Sequence, residues 1–404
     1  MKISIVSFHT LTEFGGYERV LLSVFKILSQ NYNCKITYIS VPYYKSYLNK
    51  PVLEEFLDFK VLRSSDYNDR WDYRKYVLQR RILNNELIIN HKSIENHINE
   101  LASSDVVVVT EALLINSIKN IFSKNKIDKK VLHWDHGDLN GYFRSINSNS
   151  KNFLGYFKRS LRKFIYHKEM VESLKLADAH LCISSEIGEL IKSIDNKAKI
   201  YNVYNPVPPY YGPLVKRSSS PIFLYVGRLE DNQKNISFLL KGLSYLKHKD
   251  WKLIVIGAGP DESKLKELAL NLGISDKIQW LGFKKDPFSE IKEVTALILT
   301  SRWEGFPMVL VEANQRGIPV ISSDCKSGPK DIIIPGKNGY LYKEGNMDEF
   351  VKIVNQAIDS RLKFDTPENI SKTADRFRED IVVSNIYNAL NEVVNKNMGK
   401  PKEL

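Results

Sequence analysis

The residues with the most chemical promise lie in the stretch Thr300 to Pro319, TSRWEGFPMVLVEANQRGIP. A strand ending near Ser301 is followed by a loop from Arg302 to Phe306, with Pro307 suited to the first helical position and Gly317 to closing the helix. Such a loop brings Glu304, Gly305 and the amides of Phe306, Met308 and Val309 to the carboxyl end of a strand. Amides at a helix start, together with the positive end of the helix dipole, form a site for phosphate. Glu312 follows within the helix, with seven residues between it and Glu304. Two carboxylates so placed can hold the hydroxyls of a sugar and a ribose. Solvated glutamates on a helix are the ordinary alternative, but Glu312 stands among Val309, Leu310, Val311 and Ala313, in an otherwise apolar helix.

These groups need a scaffold, and the chain supplies the pattern of one. Strand-like Ile3 to Phe8, helix-like Glu18 to Gln30, strand-like Lys35 to Val41 and the buried run Asp105 to Thr110 alternate as in a parallel sheet flanked by helices. The proline- and serine-rich stretch Asn205 to Ser220 reads as an inter-domain linker. The alternation then restarts, with strands over Ile222 to Val226, Lys252 to Ile256, Ala296 to Thr300 and Pro319 to Ser322, and helices over Ile236 to Leu246 and Glu262 to Leu272. A chain of 404 residues with 43% hydrophobic content is long for one core, which agrees with two doubly wound domains. Open parallel sheets bind ligands at the carboxyl ends of their strands, and two such ends facing each other would put the site in a cleft between domains.

The segments GGYERV, HWDHGD, ADAHLCISS, YNVYNPV, FLYVGRLEDNQKN, WKLIVIGAGP, EGFPMVLVE and GIPVISSDCKSGPKDII together resemble the family-4 retaining glycosyltransferases. The resemblance covers most of the chain and weakens across Tyr43 to Glu100. It implies the GT-B fold: a Rossmann-like acceptor domain over 1–205, a Rossmann-like donor domain over 206–376, and a terminal helical stretch within 377–404 returning to the first domain. It also implies transfer of a hexose from a nucleotide sugar, expected to be UDP-linked, to a lipid-linked, lipopolysaccharide or other surface-glycan acceptor.

The same resemblance assigns residues. Arg228 and Lys234, beyond the strand that ends at Gly227, are expected to neutralise the donor diphosphate. Gly257 approaches the nucleotide, and Gly282 and Phe283 lie where the family's backbone reads the base. Gly15 and Gly16 lie between a strand and a helix, where backbone can approach a phosphate or sugar, in a loop that closes over the donor. His136 is placed at the transferred sugar, with His133 and Asp135 as lesser candidates. Arg228, Lys234, Glu304 and His136 form the expected catalytic set. No Asp-x-Asp triplet follows a strand, so cations and amides are expected to carry the leaving-group charge, with neither metal nor cofactor required.

The formal charge of +12 implies an anionic partner. The segment Asn152 to Glu172 sets aromatic and aliphatic residues on one helical face and Lys158, Arg159, Arg162 and Lys163 on the rest, which suits an anionic membrane surface. No run of 18 apolar residues and no signal-peptide pattern is present, and three scattered cysteines fit a reducing compartment, so a cytoplasmic, membrane-peripheral enzyme is expected. Two other readings remain at this level: a nucleotide-sugar epimerase on the same fold, and a basic nucleic-acid-binding protein, for which no recognised module is visible.

Overall fold

The computed structural model describes residues 1–7, 16–40, 60–63, 94–136 and 167–395. The chain divides into two compact units, the first formed by Met1–Ile183, Ile187–Pro206 and Asp380–Leu404, the second by Ser184–Glu186 and Val207–Glu379.

The first unit is built on a seven-stranded sheet: β1 (Lys2–Ser7), β2 (Lys35–Ser40), β3 (Lys60–Arg63), β4 (Val106–Val109), β5 (Lys130–Asp135), β6 (Ala179–Cys182) and β7 (Ile200–Asn202), in the order β3-β2-β1-β4-β5-β6-β7. Every neighbouring pair is parallel. β4 is four valines, all buried, because a central strand covered by helices on both faces has no polar side to show. The helix Ala112–Lys124 lays Leu114, Ile115, Ile118, Ile121 and Phe122 on the core, the spacing of one helical face. The helix Glu379–Asn395 also belongs to this unit: Tyr387 stacks on Tyr32 at 4.3 Å between centroids, and Glu392 pairs with Lys199 at 3.0 Å.

The second unit repeats the plan. Its main sheet holds β9 (Ile222–Val226), β10 (Lys252–Ile256), β11 (Ile278–Trp280), β13 (Ala296–Leu299), β14 (Val320–Asp324) and β15 (Gly339–Lys343), in the order β11-β10-β9-β13-β14-β15. A small parallel pair, β8 (Lys216–Arg217) with β12 (Glu293–Val294), stands apart. Counted within each unit, both sheets run 3-2-1-4-5-6, the first with one strand more. In each, strand order reverses between the first and fourth strands. That switch point opens a crevice at the strands' carboxyl ends.

The segment read as a linker does not behave as one beyond Pro206. The Val207 amide donates to the Phe377 carbonyl at 2.8 Å, Val215 donates to Arg316 at 2.8 Å, and Gln315 donates to the Pro208 carbonyl at 2.9 Å. Proline removes donors but leaves its carbonyl, and here Gln315 of the second unit satisfies that of Pro208.

Candidate functional site

In the second unit the switch point lies between the loops after β9 and β13, and the two are joined to each other. Thr300 donates its hydroxyl to the Lys234 carbonyl at 2.9 Å, Gln233 donates its amide to the Trp303 carbonyl at 3.2 Å, and the Arg302 amide donates to Gln233 at 2.8 Å. Asn235 takes a left-handed φ of 53°, which ends the Asp231–Lys234 turn and starts the helix Ile236–Ser244. These bonds bring Lys234 to Glu304. The ammonium lies 2.7 Å from Glu304 Oε1, and the Ser301 hydroxyl donates to the same oxygen at 2.5 Å. Glu304 is buried and Lys234 nearly so, which makes the pair geometrically firm and costly to break. Arg228 pairs with Glu230 at 3.2 Å and keeps most of its side chain in solvent. Of the two cations the sequence placed side by side, Arg228 is therefore the exposed one and Lys234 the one packed against a buried carboxylate.

Three glycines tie the strand ends together. Gly257 has φ +146°, and a Cβ there would meet the Gly227 carbonyl oxygen at 1.9 Å. The Gly227 amide donates to Ile256 at 3.0 Å, and the Gly257 amide donates to Gly282, itself at φ +66°, at 2.8 Å. The backbone ends of β9, β10 and β11 are thus in direct contact, which only a residue without a side chain permits at 257. Phe283, next in line, is 76% exposed.

The helix after the glutamate loop corrects one sequence expectation. Pro307 is the N-cap, with ψ 82°, and the helix runs Met308–Gln315. The Met308 amide is not available to a ligand, because it donates to the Phe306 carbonyl at 2.9 Å across the turn that Pro307 imposes. Among the described residues the Val309 amide has no partner, so it remains from that set. Gly305 is held from below: Ser327 donates its hydroxyl to the Gly305 carbonyl at 2.8 Å. At the other end Gly317, φ +75°, donates to Asn314 at 2.8 Å, and Ile318 donates to Ala313 at 3.0 Å, the paired bonds of a Schellman stop. Glu312 lies on this helix, part-buried, and its carbonyl accepts from Arg316 at 3.0 Å. Burial, and then the Glu304 carboxylate, push the Cys325 thiol up to about 12, so it is an inert neighbour of the site.

The first unit carries a second cluster at its own switch point. His136 follows β5, its ring edge-on to Tyr17 at 4.8 Å and tilted against Trp134 at 4.4 Å. Gly16 opens the helix Gly16–Tyr32, one residue before Tyr17. Ser7 sits 3.2 Å from the Tyr17 hydroxyl and donates to Glu111 Oε1 at 3.2 Å. Ser7, Tyr17 and Glu111 escaped the sequence reading, although GGYERV contains Tyr17, because each stands alone in the chain and only the sheet brings them together. His133 and Asp135 are buried within β5. His133 Nδ1 lies 3.4 Å from His180 Nδ1, and burial lowers both imidazoles, His180 to about 4. Gly15, Lys158, Arg159, Arg162 and Lys163 lie outside the described residues.

Residues 212–377 match the family described as glycosyl transferases group 1. The chain is 34% identical to the lipopolysaccharide 1,6-galactosyltransferase of Escherichia coli over 298 residues, 72% of this chain and 74% of that enzyme. It belongs to the group 1 glycosyltransferases. Identity to the enzyme of the same name from Salmonella typhimurium is 42% over 232 residues, 55% of this chain and 64% of that enzyme, just under two thirds of its length. Among solved structures, the apo form of the lipopolysaccharide outer core galactosyltransferase WaaB aligns with TM-score 0.75 and 29% identity, over 97% of this chain and 99% of that one. An Anabaena protein, Alr3699/HepE, solved with UDP, aligns with TM-score 0.66 over 97% of this chain and all of that one, at 16% identity, and bears on the fold alone. The glycosyltransferase therefore has the two Rossmann-like sheets of the GT-B class, and it is a transferase; neither the epimerase nor the nucleic-acid reading finds support among these relatives.

Proposed function

We propose that this glycosyltransferase moves a hexose, galactose being the sugar in the names of the Escherichia coli and Salmonella typhimurium relatives, from a UDP donor onto a lipopolysaccharide core acceptor, with retention at the anomeric carbon. The observation that carries the reading is the fixed Lys234–Glu304 pair at the second unit's switch point, with Arg228 on the loop beside it and Glu312 on the adjoining helix. In this reading Lys234 and Arg228 stabilise the leaving diphosphate, the term that dominates such transfers. The bond from the anomeric carbon to the diphosphate oxygen breaks, the acceptor hydroxyl oxygen bonds to that carbon from the same face, and its proton passes to the departing diphosphate. Glu304 holds the sugar, Glu312 the ribose, and the 227, 257 and 282 loops the nucleotide, while His136 in the first unit contacts the transferred sugar.

In this reading Arg228 and Lys234 supply the charge that would otherwise call for a metal, so transfer without a divalent ion belongs to the proposal. The acceptor is anchored in a bilayer, and no helix among the described residues is long and apolar enough to cross one. A peripheral enzyme on the inner leaflet, held by Lys158, Arg159, Arg162 and Lys163, meets that requirement. Incubation of the full chain with radiolabelled UDP-galactose and lipopolysaccharide lacking its galactose should label the lipopolysaccharide, with an α-linkage by NMR and equal rates with and without EDTA. Labelling from another UDP-hexose alone would change the sugar; absence of transfer from every UDP-hexose would refute the reading; and loss of activity in EDTA, restored by magnesium, would transfer the leaving-group role to a metal.

A further inference from the structure

A helix of four residues cannot hold itself, because it closes a single turn and the carbonyls of that turn need partners from outside. Asp231–Lys234, which carries the fixed cation of the site, is such a helix. Its carbonyls are met in succession from one neighbouring segment. Arg302 donates through one guanidinium nitrogen, Nη1, to the Asp231 carbonyl and to the Asn232 carbonyl, the latter at 2.8 Å. Its backbone amide donates to the Gln233 carbonyl at 2.8 Å, and the Thr300 hydroxyl donates to the Lys234 carbonyl at 2.9 Å. Gln233 returns the contact, its side-chain amide donating to the Trp303 carbonyl at 3.2 Å. Thr300 and Arg302 therefore serve every carbonyl of the helix, and Arg302 serves most of them.

The consequence falls on Lys234. A lysine ammonium rides on a flexible four-carbon stem, so where its charge can go depends on where the stem starts. Here the stem starts from a turn tied along its length to the segment that also carries Glu304, to which the ammonium bonds at 2.7 Å. Backbone and head group are both held by residues 300–304. A charge fixed in advance stabilises a departing anion without reorganising at the moment of reaction. A guanidinium beside a strand end would ordinarily be read as one more cation for the diphosphate, like Arg228. The two differ in what they meet: Arg228 pairs with Glu230 and lies mostly in solvent, whereas Nη1 of Arg302 is spent on two backbone carbonyls, which its planar fork suits.

We propose that Arg302 is a positioning residue for the leaving group, acting through Lys234 by fixing the Asp231–Lys234 turn and not by meeting the diphosphate itself. This rests on the transfer reading above and deepens it by naming a residue whose effect passes through another.

The test is a double-mutant cycle on the full chain: wild type, Arg302→Met, Lys234→Ala and the double variant, each measured for transfer from UDP-galactose and for affinity to UDP and to uridine. Arg302→Met should lower kcat by about 10- to 100-fold, the scale of a displaced catalytic group, and weaken UDP binding while sparing uridine affinity and acceptor KM. In the Lys234→Ala background the same change should cost less than about twofold in kcat and in UDP affinity, because nothing is left to position. Equal losses in both backgrounds would overturn the proposal, since Arg302 would then meet the diphosphate directly or support the unit in general. Uridine affinity falling in step with UDP would overturn it too, as would a kcat equal to wild type. Should either single variant fail to fold, Arg302→Lys decides, because it keeps the charge and loses the fork: a narrowed preference for UDP over uridine supports the proposal, and a preference equal to wild type overturns it. The parent reading fails separately. A wild type that binds UDP yet transfers from no UDP-hexose refutes transfer, while the UDP and uridine affinities still decide the role of Arg302.

Discussion

The two units use one strand order to present different side chains at the same topological position. The second sets an ammonium against Glu304 and brings three strand ends together through Gly227, Gly257 and Gly282. The first sets the Ser7 hydroxyl against Glu111, with Ser7 also beside the Tyr17 phenol and the Tyr17 ring edge-on to His136. Strand order chooses where a ligand goes, and the side chains on the two loops choose which ligand it is.

The sharpest way to break this contrast is to remove its cation. Lys234→Ala should lower kcat by about 10²- to 10³-fold, the scale of deleting one donor to a developing charge, and should also destabilise the second unit by leaving Glu304 buried without its partner. Acceptor KM should hold. A rate within tenfold of wild type would mean that Arg228 alone carries the leaving group.

Gly257→Ala asks whether the glycine contact is structural. The added Cβ must displace the Gly227 carbonyl, in a backbone conformation that alanine resists, so a loss of about 3 kcal/mol or more is expected by denaturant titration, together with weakened UDP binding. Stability equal to wild type would show that the strand ends separate without cost.

Glu312→Ala should weaken UDP-sugar binding by roughly 1–3 kcal/mol in calorimetry with the melting temperature little changed. Retention of full affinity would remove the ribose from its role.

The smallest effect lies in the first unit. His180, neutral and buried with its pKa lowered to about 4, takes up a proton near 6.5 when unfolded. The unfolded chain therefore binds more protons between those values, and stability falls as pH drops through that window, by about 1 kcal/mol at pH 6. His180→Asn should flatten the dependence without touching UDP affinity. A wild-type melting temperature constant from pH 7 to 5 would contradict the burial argument.

Much of this was legible in the sequence. The strands at Ile222–Val226 and Lys252–Ile256 match their apolar runs residue for residue, because a buried parallel strand is a local signal. The glutamate loop was legible too, since strand, loop, proline and stop glycine lie within twenty residues. β15, by contrast, is not among the strands read from the sequence: its Gly339 packs so close to Val320 that a Cβ would meet that carbonyl at 2.4 Å, a requirement set by a neighbouring strand.

The sequence by itself determined two doubly wound halves and the glutamate loop and helix, because periodicity and motif spacing are properties of adjacent residues, and its motifs carried the resemblance to the family. Only the tertiary structure decided that Lys234 meets Glu304 across seventy positions, and that Ser7 meets Glu111 across 104. It also decided that Met308 spends its amide on Phe306. Parallel strands joined by crossovers place residues side by side that the chain keeps far apart, so contacts between strand ends leave no trace in local spacing.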